Sequence, residues 1–205
     1  MKQAAFKAIV AVSLVVLPAS AGAGTIVYEP TRPDLYDLPH QYYYTWGISV
    51  SEDISASTIT GATLRFEDIH NWNDDPNQLY VHLLDAAPLG VEAYWDNQLG
   101  GDSFDSQGIK LVEYFDLGTT PQDLAYDLTP DEVVQLIEYI QNGANFGLGI
   151  DPDCHYYNNG VSLSLSYETP VPSAEVPEPL TVLAMTAGLG GLGCYVRKRT
   201  RHPAA

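Results

Sequence analysis

The stretch Asp151-Pro-Asp-Cys-His-Tyr-Tyr-Asn-Asn159 carries the residues best suited to binding a metal ion. Asp151, Asp153 and Asn158 offer hard oxygen ligands of the kind that Ca²⁺ prefers, and backbone carbonyls would complete its shell. Two carboxylates one residue apart repel each other unless a cation or hydrogen bonds hold them. The glycine and the bidentate glutamate of an EF-hand are missing. The spacing therefore predicts either a calcium site or a turn whose carboxylates accept hydrogen bonds from backbone N–H groups.

A second polar stretch, residues 71–77, contains the aromatic side chain Trp72. Together with Tyr94 and Trp95, it could present flat apolar rings on which the C–H faces of sugars pack. Aromatic side chains more often serve in ordinary core or loop packing. These three residues are therefore candidate sugar contacts, with structural packing as the alternative.

The residue types of catalytic sites are scattered along the chain. Cys154 and His155 are adjacent, so in a strand their side chains would point to opposite faces. Acidic residues are so numerous that some pair would meet by chance, and their abundance cannot indicate a glycosidase. We therefore expect no catalytic residues and a protein that is not an enzyme. No Gly-x-Ser-x-Gly motif occurs, and zinc-site spacings are missing from the histidines His40, His70, His82 and His155.

The elements that must position these residues are mostly strands. Residues 161–167 alternate between apolar and polar without a fault, which is typical of a half-buried strand. Within 62–67 the alternation points Leu64 and Phe66 inward. Eight or nine short strands of this kind predict a mainly β domain of two packed sheets. The other predicted strands are 25–28, 41–50, 79–83, 92–95, 110–115, 122–127 and 146–150.

One helix is predicted after the strand at 122–127. Thr129-Pro130-Asp131-Glu132 forms a capping box, with Thr129 as N-cap and proline at the first helical position. Asn142-Gly143 supplies the stop signal. Between these signals, apolar residues recur at helical spacing, namely Val133, Val134, Leu136, Ile137 and Ile140.

The central part of the chain is strongly acidic. Residues 25–172 contain 24 of the 26 acidic residues and only three basic ones, a formal charge of −21. Such a field repels nucleic acids and anionic head groups, which excludes nucleic-acid partners, and it suits divalent cations or neutral ligands. All three tryptophans and 13 of the 14 tyrosines lie here, which argues against a disordered acidic tail. We expect one folded acidic domain, residues 24–169.

The N-terminus has the pattern of a signal peptide, residues 1–23. Lys2 and Lys7 flank the start of an apolar run over 8–17, and small side chains occupy 21–23. A ten-residue helix rises only about 15 Å, half of the hydrocarbon thickness of a bilayer, so this run is too short to span. Signal peptidase would therefore be the first processing partner.

The C-terminus has the pattern of a membrane span. A Pro-rich linker over 170–179 precedes 17 uncharged residues, 180–196. As a helix this segment would rise about 26 Å, enough for a slightly short transmembrane helix. It contains Cys194, so Cys154 is expected to be a lone buried thiol in the mature domain. The basic tail, 197–205, would stay in the cytoplasm because it carries Arg197, Lys198, Arg199 and Arg201.

This tail resembles the PEP-CTERM sorting signal. Val-Pro-Glu-Pro at 176–179 precedes a Gly-rich apolar span and a final Arg-Lys-Arg cluster. The resemblance implies that an integral-membrane exosortase recognises Pro177, Glu178 and Pro179 and cleaves nearby. It also implies export from a Gram-negative bacterium that makes exopolysaccharide, with transient anchoring in the inner membrane before release to the cell surface or beyond. A plain membrane anchor with a Pro-rich stalk is the alternative.

The order of elements in the central domain resembles a jelly-roll module of the DNRLRE or carbohydrate-binding type. Shared features are an Asp-Leu-Thr strand end that caps the helix, at 127–129, and an Asn-Phe-Gly that opens a late strand, at 145–147. The resemblance implies an antiparallel β-sandwich of jelly-roll type with one short capped helix. It implies function only by analogy.

Three functions remain open from the sequence. The first is an exported, exosortase-sorted protein of the cell surface or extracellular matrix, non-catalytic and associated with exopolysaccharide. The second is a carbohydrate-binding module with structural calcium. The third is a secreted glycan-active enzyme. Exposed aromatic side chains on a concave sheet face would favour the second, and titratable groups converging in a pocket would favour the third.

The sorting motif gives a first test. Replacing Pro177, Glu178 and Pro179 by alanine is expected to leave the full-length protein in the inner membrane, because the proposed recognition sequence is gone. Membrane fractionation with immunoblotting measures this. The matched control, Pro170→Ala with Pro172→Ala, changes the same linker and should be processed normally. If the triple variant lost its span at the normal rate, sorting at this motif would be wrong.

Overall fold

The computed structural model describes residues 22–51, 54, 58–97, 100–143 and 145–169. The predicted signal peptide, apart from its last two residues, lies outside the described residues, as do the linker, the transmembrane segment and the basic tail. Within the described residues, no helix has the length and apolar character needed to cross a bilayer.

The domain is mainly β, as the alternation predicts, and each of the nine predicted strands is present. Two further strands, β2 and β10, were not predicted because a two-residue strand shows no alternation. Helix α1 spans Pro130–Gly143. The strands are β1 Ala23–Tyr28, β2 Asp37–Leu38, β3 Tyr42–Ser49, β4 Thr58–Asn71, β5 Gln78–Leu84, β6 Gly90–Trp95, β7 Ile109–Phe115, β8 Gln122–Asp127, β9 Asn145–Pro152, β10 Tyr156–Tyr157 and β11 Gly160–Glu168.

The strands form two antiparallel sheets. The six-stranded sheet has the order β1-β11-β4-β10-β2, with β8 also paired to β4. The five-stranded sheet has the order β6-β3-β9-β5-β7, so β9 is its central strand and β6 and β7 are its edges. Strands that are neighbours in this second sheet are distant in sequence. As a result, β6 and β9 are separated only by β3.

Apolar and polar residues alternate along the strands, so one face of each sheet is buried. Leu64 and Phe66 of β4 are fully buried, as predicted, and so are Leu79 and Val81 of β5. Side chains of both sheets and of α1 share one hydrophobic cluster. Burying a side chain of this size stabilises the fold by about 1.5–3 kcal/mol, so this cluster is the main source of stability.

Helix α1 begins with the predicted capping box. The backbone N–H of Thr129 donates to Oε2 of Glu132 at 2.7 Å, and the N–H of Glu132 faces Oγ1 of Thr129 at 3.4 Å. The acidic residues of the first turn also suit the positive end of the helix dipole. The helix buries Val133, Leu136 and Ile140 in the shared cluster.

The cap gives a stability prediction. Thr129→Ala is expected to lower the free energy of unfolding by about 1 kcal/mol, because it removes the side-chain oxygen that faces the first turn. Urea denaturation followed by circular dichroism measures the loss. Thr120→Ala, at an exposed threonine of a loop, is the matched control. A loss no larger than that of the control would mean that the capping side chain contributes nothing.

Candidate functional site

The outer face of β9 has a gap in its side chains. Phe146, Leu148 and Ile150 point into the core and are fully buried. The alternate positions, which face away from the core, hold Gly147 and Gly149 before Asp151 is reached. Because glycine has no side chain, another segment can approach the backbone of this central strand closely.

A loop fills that gap. Residues 100–108, here called the covering loop, lie against the outer face of the five-stranded sheet. Phe104 is its anchor, with only 1% of its surface exposed. A Cβ atom at Gly149 would lie 2.9 Å from the Phe104 ring, so the ring rests directly on the backbone. Tyr43 meets the same ring edge-on at a centroid distance of 5.3 Å, and the His82 ring lies 5.7 Å away.

A hydrogen bond between side chains provides a second anchor. His82 of β5 is buried, and its Nε2 lies 2.9 Å from Oδ2 of Asp102 in the covering loop. Its Nδ1 lies 3.2 Å from the carbonyl oxygen of Gln107. Both ring nitrogens of His82 thus lie within hydrogen-bond distance of an oxygen of the covering loop. Lys110 Nζ lies 3.5 Å from the same Asp102 oxygen. The charge of Asp102 is therefore compensated.

Three other carboxylates converge beneath the covering loop. Asp151 is fully buried, and its Oδ2 accepts a hydrogen bond of 2.6 Å from the backbone N–H of Ser103. Asp153 Oδ2 accepts one of 3.2 Å from the N–H of Gly101. Asp96, which follows β6 and is 2% exposed, accepts from the Ser103 hydroxyl at 3.4 Å. One short loop thus contacts acidic residues from two strands of the sheet.

The electrostatics of this group are unfavourable for ionised carboxylates. Burial raises the pKa of Asp151 to about 6. The N–H and the side chain of Ser103 oppose that rise, and the charges of Asp96 and Asp153 add to it. Burial also raises the pKa of Asp153, with the charge of Asp96 acting in the same direction. Oδ1 of Asp151 and Oδ1 of Asp153 are buried without a hydrogen-bond partner among the described residues.

The structure brings two of the three predicted calcium ligands together. Asp151 and Asp153 both accept hydrogen bonds from the covering loop, whereas Asn158 is hydrogen-bonded to other segments. Its amide donates to the Leu35 carbonyl at 2.6 Å, and its Oδ1 accepts from the N–H of Gly160 at 3.0 Å. Sequence reasoning missed Asp96, which is 55 positions before Asp151. Only the pairing of β6 and β9 with β3 brings it near, and no local pattern signals that pairing.

The alternative prediction was a turn whose carboxylates accept backbone N–H groups. Each aspartate does accept a backbone N–H, but the donors belong to the covering loop and not to residues 151–159. In the part of the chain that the structure describes, no three His, Cys, Asp or Glu side chains are arranged as a metal-binding group. A cation beside Asp151 and Asp153 would therefore take part of its shell from backbone carbonyls and water, as Ca²⁺ commonly does.

The candidate sugar contacts are exposed. Trp95 is 57% exposed at the end of edge strand β6, and its ring meets Tyr42 edge-on at 5.4 Å. Tyr94 stacks on Tyr43 at 5.2 Å with an interplanar angle of 16°. Since neighbouring strand residues point to opposite faces, Tyr94 and Trp95 present rings on both faces of the edge. We call Tyr42, Tyr43, Tyr94 and Trp95 the aromatic edge.

Trp72 belongs to a different group of rings. It follows β4, is 58% exposed and lies 6.2 Å from the His155 ring. His155 in turn contacts Tyr157 at 4.6 Å and is hydrogen-bonded to Asp37. Adjacent Cys154 is buried, as expected, with its Sγ 3.9 Å from Oδ1 of Asn73. No ring contact within the described residues joins Trp72 to the aromatic edge.

Comparison with known proteins adds little. No protein-family model matches the sequence, and no curated protein matches it. Among solved structures, the chain is similar to recombinantly expressed latent aurone synthase (polyphenol oxidase), with 8% identity and a TM-score of 0.39 over 71% of this chain and 27% of that one. Latent aurone synthase from a natural source gives 7% identity and a TM-score of 0.37 over 69% and 28%. The chain thus spans little more than a quarter of these enzymes, and so low a similarity supports no argument about fold or function.

The raised pKa of Asp151 predicts a pH dependence. The folded-state pKa of about 6 lies above the ordinary value of 3.8, so the folded state binds the proton more tightly. The resulting stabilisation is fully present below about pH 4 and is lost as pH rises through 6. Two pKa units correspond to about 3 kcal/mol. Asp151→Asn removes this dependence, so the stability of the variant relative to the wild type should increase as pH rises from 5 to 7.

Urea denaturation in EDTA at pH 5 and pH 7 measures the effect. Comparing the variant with the wild type cancels the general repulsion of this acidic domain, and exposed Asp34→Asn is the control. Parallel stability profiles for Asp151→Asn and the wild type would show that Asp151 titrates normally.

Proposed function

We propose that this chain is an exported, exosortase-sorted protein of the cell surface or extracellular matrix, which is non-catalytic and associates with exopolysaccharide. Sorting is supported by the order of Pro177-Glu178-Pro179, an uncharged span and a basic end. The observation that supports the association with polysaccharide is the aromatic edge. There, large rings are exposed on an edge strand and pack against rings of the neighbouring strand.

We also propose that the two sheets pack as a β-sandwich of jelly-roll type. Three features support this: every strand pairing within the two sheets is antiparallel, both sheets contribute to one hydrophobic cluster, and the capped helix precedes β9. In such an architecture the five-stranded sheet would turn its outer face and its β6 edge to the surroundings.

The aromatic edge is suited to a neutral sugar chain. Exposed tryptophan and tyrosine rings offer apolar faces that match the C–H faces of sugars, and their polar atoms can still reach water or hydroxyl groups. Tyr42 and Tyr43 hold the rings of Trp95 and Tyr94 in place, so little side-chain freedom is lost on binding. A domain with a formal charge of −21 repels anionic polymers, which favours an uncharged polysaccharide.

A carbohydrate-binding module with a defined sugar site is the second candidate. It is favoured by the second group of rings, in which Trp72, His155 and Tyr157 lie next to one another. The two candidates differ in specificity: a defined site would bind one glycan strongly, whereas a matrix component would bind several weakly.

A binding experiment tests the aromatic edge. Trp95→Ala is expected to weaken binding to neutral polysaccharides by about tenfold, because truncating a central aromatic contact commonly costs more than about 1 kcal/mol. Affinity electrophoresis in gels containing each polysaccharide measures this for the full chain. Phe115→Ala is the matched control, because Phe115 is 59% exposed on β7, the opposite edge of the same sheet.

Trp72→Ala separates the two candidates. If it abolishes binding to one glycan while Trp95→Ala has no effect, the defined site lies at the second group of rings. If the wild type binds no polysaccharide, or if all three variants bind equally well, the association with exopolysaccharide through these rings is wrong. Sorting is tested separately, so either part of the proposal can fail alone.

A further inference from the structure

The carboxylates beneath the covering loop have only half of their hydrogen-bonding capacity used. Asp151 is fully buried, with Oδ2 bonded to the N–H of Ser103 at 2.6 Å and Oδ1 buried without a hydrogen-bond partner among the described residues. Asp153 repeats this pattern, with Oδ2 bonded to the N–H of Gly101 at 3.2 Å and a buried, unpartnered Oδ1. An ionised carboxylate can accept about four hydrogen bonds, so these two oxygens lack partners that their charge requires.

No positive side chain of the described residues supplies the missing partner. Lys110 Nζ is engaged by Glu113 at 3.0 Å and by Asp102 at 3.5 Å. None of the ion pairs in the described part of the chain includes Asp151 or Asp153. The other two basic residues of the domain lie in β4 and in the connection between β1 and β2. A buried charge without a partner is costly, because the protein interior replaces the water that stabilised it.

The backbone N–H groups of the covering loop reach one oxygen of each carboxylate. Ser103 and Gly101 hold the Oδ2 atoms, which fixes the orientation of both carboxylates. The two Oδ1 atoms are thereby held in fixed positions, each of them buried, on residues two positions apart in the sequence. Asp96 adds a third acidic side chain nearby, because its Oδ1 lies 3.4 Å from the hydroxyl of Ser103, the residue whose N–H donates to Asp151. A cation would satisfy this arrangement better than any further hydrogen-bond donor.

We propose that Asp151 and Asp153 bind a Ca²⁺ ion through their Oδ1 atoms, and that Asp96 strengthens binding through its charge. The donors are oxygens and include no imidazole or thiolate, which selects a hard cation over zinc or copper. Two carboxylates leave most of the shell to backbone carbonyls and water. Ca²⁺ accepts such a mixed shell of six to eight oxygens, whereas Mg²⁺ requires near-octahedral geometry.

The site would join three segments that are distant in sequence. Asp96 follows β6, Asp151 and Asp153 belong to the end of β9, and the covering loop lies between them in sequence and contacts all three side chains. The ion would therefore hold the covering loop against the sheet and stabilise the folded state in proportion to its occupancy. Calcium-dependent stability is independent of polysaccharide binding and of sorting.

Thermal denaturation of the full chain tests this proposal. After EDTA treatment and removal of the chelator, the melting temperature is measured in 10 mM CaCl₂ and in 10 mM MgCl₂ at equal ionic strength. With a millimolar dissociation constant, Ca²⁺ is expected to raise the melting temperature about 3–6 °C above the value in Mg²⁺. Equal values in the two salts would overturn the proposal, because charge screening does not distinguish the two cations.

A matched pair of double variants locates the site. Asp151→Asn with Asp153→Asn should abolish the difference between Ca²⁺ and Mg²⁺. Asp34→Asn with Glu92→Gln removes the same charge from exposed positions and should keep the difference. If the first pair keeps the difference, the ion binds elsewhere and this site is wrong. Loss of the difference in both pairs would likewise overturn it, because charge rather than position would then be responsible.

A luminescence measurement needs no double variant. Tyr80 is paired with Asp151 in the sheet, so Tb³⁺ bound at this site would be excited through the tyrosine ring. The full chain should show saturable Tb³⁺ emission that Ca²⁺ displaces and Mg²⁺ does not. The single change Asp153→Asn, at a partly exposed side chain, should reduce Tb³⁺ affinity at least tenfold. Emission that Ca²⁺ cannot displace, or an unchanged affinity in Asp153→Asn, would contradict the proposal.

Discussion

The contact between Phe104 and the backbone at Gly149 is the constraint on which the rest of the site depends. A sheet normally projects side chains from both faces, and the central strand would then hold any covering segment several ångströms away. Here a Cβ atom at residue 149 would lie 2.9 Å from the ring, so glycine is required for the approach. With Phe104 in this position, the backbone N–H groups of Gly101 and Ser103 reach the aspartates that follow along the same strand.

Favourable and unfavourable contributions of similar size to the folding free energy arise at this loop. Burying a phenylalanine side chain stabilises by about 1.5–3 kcal/mol. Keeping Asp151 ionised in its buried position costs about 3 kcal/mol, because its pKa rises by about two units. The hydrogen bond between His82 and Asp102 and the backbone hydrogen bonds to Asp151 and Asp153 add to the stabilisation of the loop on the sheet. Phe104 thus positions the loop, and several moderate interactions help to hold it there.

The parts of the fold that follow from local chemistry are those that could be predicted. The capping box at Thr129 and the alternation along β4, β5 and β11 depend only on residues that are close together in the sequence. The structure confirms both. Strands β2 and β10 are too short to leave a pattern. Asp96 and the pair of His82 and Asp102 could not be foreseen, because their positions depend on which strands pair. Asp151 and Asp153 were identifiable by type and spacing, whereas Asn158 matched by type but is engaged by backbone groups of another segment.

Strand β6 pairs with β3 alone among the described strands, so one side of its backbone has hydrogen-bonding groups open to a further strand. An open edge that also carries exposed aromatic rings would ordinarily drive copies of a protein to associate. Every copy carries a strong negative charge, and the mutual repulsion opposes such association at neutral pH. That repulsion depends on ionisation and weakens toward low pH, where the full chain has its isoelectric point at about 4.3. The acidity of the domain would thus counteract aggregation through this edge.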